Sequence, residues 1–141
     1  QLDRDGVRVW AAPAAGWNAA NVWAPELQFI DGRWYIYYAA GERPGGPFIH
    51  QRTGVLESET DDPRGRWIDR GRLDTGGDPA DPSDDVWAID FTTLVLNGQR
   101  YGIWSGWDRN ASTDQTQQNL YIATMSSPTR VSGRRTVLAL P

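Results

Sequence analysis

Cysteine is absent from this 141-residue chain, and so is lysine: all fourteen basic residues are Arg. Without Cys there is neither a disulfide nor thiolate chemistry. The single His, His50, excludes a multi-His metal site. No apolar run approaches the roughly 20 residues of a membrane-spanning helix, and no charged-then-apolar leader is visible. A positive balance is also missing. Eighteen acidic residues give a net charge of −4 and a pI near 4.9, whereas phosphate binding needs a positive field. Neither nucleic acid nor a membrane is expected as a partner. There is no initiator Met, and no closing element precedes Pro141, so a fragment of a longer protein is expected.

What is present is globular in character. Hydrophobic residues make up 39% and aromatics 11%, too much for a disordered tail. Fifteen Gly and nine Pro imply frequent turns. Eight Trp stand out. Trp fills β-protein cores and also stacks on sugar faces; the count alone favours the core.

The local pattern is β throughout, with no helical periodicity. In ELQFIDGRWYIYYAA, residues 26–40, apolar and aromatic residues alternate around Asp31-Gly32. TTLVLNGQRYGIW, residues 92–104, does the same around Asn97-Gly98. Such steps between alternating runs are strong hairpin signals, because Asn, Asp and Gly tolerate positive φ. The hairpins belong to a repeat. Asn21 to Glu26 is matched 64 positions later by Asp85 to Asp90, and after a two-residue slip the two turns match at an offset of 66. A third strand is expected at 53–57 and 120–125, and a fourth at 67–73 and 136–140. Four antiparallel strands per radially repeated unit describe a β-propeller blade. The expected fold is thus all-β, a partial propeller with blade units at about 21–73 and 86–140, and 1–20 ending a preceding blade.

The offset of 64 makes Glu26 and Asp90 equivalent, each placed after Trp-Ala and one residue. Both would point into a central funnel, or both would cap strand backbones. Carboxylates on an axis among Trp side chains suit glycoside hydrolysis. The Asp-rich run 74–85 lacks the ligand spacing of an EF-hand loop and is expected to be a solvated loop.

Four segments carry a family likeness. NVWAPELQFIDGRWYIYYAAG (21–41), VWAIDFTTLVLNGQRYGIWSG (86–106), NLYIATMSSPTRVSG (119–133) and the opening VRVWAAP (7–13) resemble glycoside hydrolase family 43 in family order. The likeness is greatest to its α-L-arabinofuranosidase and β-xylosidase branch, five-bladed propellers acting on arabinan and arabinoxylan by inversion. The resemblance implies three catalytic carboxylates: a base Asp, an acid Glu, and an Asp that orients the acid and tunes its pKa. Asp90 matches the last. Phe91 departs from the small residue or Pro that usually follows it. No Asp here sits in the context of the base, and no Glu follows Glu59, so base and acid are expected outside this chain, which alone should be inactive. Trp23 and Glu26 match the family's Trp-Ala-Pro-acid segment and are expected at the substrate, Trp23 by stacking. Thr92, Ser105 and His50 are further candidate substrate contacts. Trp10, Trp34 and Trp104 are assigned to blade packing. No cofactor and no metal are expected, and the family likeness implies secretion. The competing possibility is a carbohydrate-binding propeller without catalysis.

Overall fold

A computed structural model describes residues 6–78, 81 and 84–141. The first sheet is a meander in the order β1 (Ala20–Ile30), β2 (Arg33–Gly41), β3 (Arg52–Ser58) and β4 (Trp67–Arg72). The second comprises β5 (Ala88–Leu96), β6 (Gln99–Gly106) and β7 (Asn119–Ser127). Its outermost position is divided. The two-residue β8 (Arg130–Val131) pairs with the end of β7, and β9 (Thr136–Ala139) pairs with its beginning. All pairings are antiparallel, and among the described residues no α-helix occurs. This is the all-β, blade-by-blade architecture expected of a partial propeller.

Both hairpins turn where the sequence places them. Asp31 and Gly32 have φ of 50° and 84°, Asn97 and Gly98 of 51° and 79°. Two consecutive positive φ values give a turn whose twist matches that of the strands it joins.

The two sheets pack face to face, β5 lying against β1, β2 and β3. Alternation along β2 sends Tyr35 and Tyr37 to this interface. An aromatic series crosses it: Tyr37 to Phe91 at 5.1 Å, Phe91 to Trp104 at 5.7 Å and Trp104 to Tyr121 at 6.1 Å. Tyr37 donates from its hydroxyl to the Pro128 carbonyl at 2.8 Å. The opposite face of the first sheet holds Tyr38, Ala40 and Leu56, with Trp10, Trp17 and Trp67 against them. The opening segment 7–13 forms no strand. That segment instead lays Trp10 on Tyr38 at 5.1 Å, finding apolar burial without a ladder partner. Leu27 and Phe29 on β1 stay about half exposed (52% and 54%), and so do Val95 and Leu96 on β5 (56% and 57%).

Candidate active site

Asp90 lies in the start of β5, where the ladder breaks. Ile89 pairs with Ser105 and Thr92 with Ile103, so Asp90 and Phe91 together oppose Trp104 alone. This is a β-bulge, a device that re-aims a side chain. Asp90 takes φ 54°, which a short polar residue tolerates, and its side chain is exposed. Phe91 points the other way and is buried between Tyr37 and Trp104. Gly102 makes room for it: a Cβ there would sit 2.3 Å from Phe91 Cζ. The large residue at 91 is therefore matched by a missing side chain across the ladder, and the bulge closes normally around it.

β1 carries the same bulge. Trp23 pairs with Ala39 and Glu26 with Tyr37, leaving Ala24 and Pro25 opposite Tyr38. Ala24 has φ 46°. The structural counterpart of Asp90 is therefore Ala24, and that of Glu26 is Thr92. The equivalence of Glu26 with Asp90 is overturned. The repeated Trp-Ala suggested an offset of 64, but the bulges fix the offset of 66 along the whole hairpin.

Glu26 and Thr92 meet directly. Thr92 donates from its hydroxyl to Glu26 Oε1. Gln28 Nε2 donates to the same oxygen at 2.6 Å and to Thr92 Oγ1 at 2.9 Å. Thr93 donates to Gln28 Oε1 at 2.5 Å. Gln28 and Thr93 were not singled out in the sequence; they lie on different sheets, and no local pattern brings them together.

The other candidates lie near the same strand ends. Trp23 is half-buried and meets Phe48 edge-on at 4.8 Å. Phe48 is clamped in turn: its carbonyl accepts from Trp87 Nε1 at 2.6 Å, and its amide donates to Asp114 Oδ2 at 3.2 Å. Trp87 stacks on Trp107 at 4.5 Å. His50 Nδ1 lies 3.5 Å from Glu42 Oε1, beside a cavity of about 80 Å³ lined also by Trp17, Arg52 and Arg72. Ser105, paired with Ile89, donates to Gln118 Oε1 at 3.1 Å. Trp10 and Trp34 pack on Tyr38 and Phe29, while Trp104 is wholly buried.

The Asp-rich run is not simply solvated, which corrects the loop expectation. Asp85 is buried, and its Oδ2 takes Arg52 Nε at 3.1 Å and an Arg72 Nη at 2.8 Å. Burial pushes the Asp85 carboxyl above the ordinary range, against the pull of both guanidiniums, and burial lowers Arg52. Asp78 pairs with Arg134 at 2.6 Å. These partners are distant in sequence, so composition could not reveal them.

The family model described as glycosyl hydrolases family 43 matches residues 4–140. The chain belongs to that family. Among family members, an extracellular exo-α-(1→5)-L-arabinofuranosidase of Streptomyces avermitilis is 37% identical over 134 residues. The α-L-arabinofuranosidase 43 of Humicola insolens is 34% identical over 134 residues. Both alignments cover 94% of this chain and 25% of the relative, so the chain spans about a quarter of their length. The crystal structure of an α-L-arabinofuranosidase from Lactobacillus brevis superposes with a TM-score of 0.74 at 25% identity, over 93% of this chain and 40% of that one.

Proposed function

We propose that this family 43 chain contributes two blades to a longer propeller glycosidase that removes α-L-arabinofuranosyl groups from arabinan-type polysaccharide by inversion. The observation that carries the reading is Asp90: an exposed carboxylate on a left-handed bulge, anchored by a buried neighbour, in the segment that matches the family. The relatives named as arabinofuranosidases support the substrate class. The relative named as extracellular supports secretion.

In this mechanism Asp90 moves no proton. Its negative charge beside the general acid raises that acid's pKa, so the acid stays protonated until the leaving oxygen needs it. The acid and base come from blades outside this chain and stand about 6.5–9.5 Å apart, leaving room for the attacking water. Trp23, steadied by Phe48, offers an apolar face to the sugar; Ser105 and His50 lie near it as polar contacts. Neighbouring blades cover the exposed Leu27, Phe29, Val95 and Leu96.

The test is hydrolysis of aryl arabinofuranosides and xylosides by the complete protein, its Asp90→Asn variant and the isolated 141-residue chain. The complete protein should release arabinose in preference to xylose, and the other two should show little turnover. Sugar binding by the complete protein without turnover would favour the non-catalytic alternative instead.

A further inference from the structure

A bulge interrupts the ladder on which a strand depends, so the residue it displays must be held by something else. In β5 the pairs Ile89–Ser105 and Thr92–Ile103 flank the interruption. Phe91 fixes one side by filling the space above Gly102. The other side is fixed from the neighbouring sheet. Thr92 and Thr93, immediately after the bulge, are bound by Glu26 and Gln28, two residues apart on β1. One oxygen, Glu26 Oε1, takes both Gln28 Nε2 and the Thr92 hydroxyl. Among the described residues Glu26 makes no ion pair. Its accepting capacity goes to neutral donors, and a carboxylate makes such bonds shorter and stronger than a neutral acceptor would.

We propose that Glu26 is a positioning residue for Asp90: through Thr92 it fixes the β5 backbone immediately after the bulge, two residues beyond Asp90, and so sets where the Asp90 carboxylate stands. This rests on the catalytic reading of Asp90. It also gives Glu26 a task other than touching sugar. A carboxylate that tunes its neighbour's pKa acts through distance, and displacement by an ångström in an active site can cost on the order of 10²-fold in rate.

The experiment uses the complete protein with an aryl arabinofuranoside across pH, comparing Glu26→Ala, Glu26→Gln, Thr92→Val, Thr92→Ser, the pair Glu26→Ala/Thr92→Val, and Asp90→Asn. Glu26→Ala and Thr92→Val should each lower kcat by about 10–100-fold, as losses of supporting hydrogen bonds do, with KM little changed. Both should move the same limb of the pH profile that Asp90→Asn moves, a shift that simple loss of folded protein does not produce. The double variant should be no worse than either single one. Glu26→Gln keeps an accepting oxygen and Thr92→Ser keeps the hydroxyl, so both should retain most of kcat. If Glu26→Ala or Thr92→Val keeps wild-type kcat while Asp90→Asn loses it, the positioning role is overturned. A raised KM at unchanged kcat in Glu26→Ala would make Glu26 a substrate contact and overturn it too, as would Glu26→Gln as damaged as Glu26→Ala. Unchanged kcat in Asp90→Asn, by contrast, removes the catalytic reading itself.

Discussion

β1 and β5 each break register at the same place, and each turns there through a left-handed residue, Ala24 at φ 46° and Asp90 at φ 54°. In β1 the following residue is Pro25, which is exposed; in β5 it is Phe91, which is buried to 2% exposure. Beyond the bulge stand Glu26 in one strand and Thr92 in the other, and these two residues bond to each other. The backbone thus offers the same left-handed position twice, and only β5 places a carboxylate on it. The bulge is a property of the repeat, whereas the proposed chemistry lies in a departure from it.

The largest effect should come from breaking this asymmetry at its buried half. Phe91→Ala empties the core between Tyr37 and Trp104 and should destabilise by about 3–5 kcal/mol, the usual loss for a buried Phe. Pro25→Ala, at the matching exposed position, should stay within about 0.5 kcal/mol, as surface changes do. Chemical denaturation of both variants checks the contrast, and similar losses would mean that the two bulges are supported alike.

Next in size is the chemical half. Asp90→Asn in the complete protein should lower kcat by roughly 10²-fold or more, the scale of lost acid–base assistance, with little change in KM. Steady-state kinetics on an aryl arabinofuranoside measures it. Smaller is the cost of left-handed backbone at a residue with no task for it. Ala24→Gly should raise stability by about 1 kcal/mol, because an alanine methyl is disfavoured there, and should leave turnover unchanged. Asp90→Gly should relieve little and abolish turnover.

The smallest effect concerns the two faces of the first sheet. Tyr37 faces the second sheet and Tyr38 the opposite side, and burial pushes both phenols above their ordinary 10.0. A raised folded value means stability that is complete below pH 10 and lost as pH climbs towards the folded value. Melting temperature should therefore fall above about pH 10, beyond the free phenol value. Tyr37→Phe should flatten part of that fall, while costing about 0.5–1.5 kcal/mol through loss of the bond to Pro128. An unchanged alkaline slope would place the sensitivity at Tyr38 and Tyr35, whose phenols burial also raises.

Much of the fold was legible because its signals are local. Asp31-Gly32 and Asn97-Gly98 specify turns by backbone tolerance, and the alternation beside them assigns faces. The phase of the repeat was not legible. Trp23-Ala24 and Trp87-Ala88 look alike, yet the bulges set Trp23 against Ile89, and neither bulge is signalled by a glycine at its left-handed residue. Asp90 is singled out by its segment, but the residues proposed to position it come from another sheet. The pairing of Asp85 with Arg52 and Arg72 likewise depends on contacts that only folding creates. Phe91 looked unsuited to its position until Gly102, eleven residues on, was seen beneath it.

Arg72 closes β4, and Asp85 stands just ahead of β5, so their 2.8 Å contact joins the two ends of the connection between the sheets. A connection clasped at its ends can change length without dragging on what it joins, since each doubling of a flexible loop costs only about 0.6 kcal/mol. The buried Asp85, gripped by Arg52 and Arg72, thus sets the spacing of the two sheets whatever the length of chain between the ends of the connection.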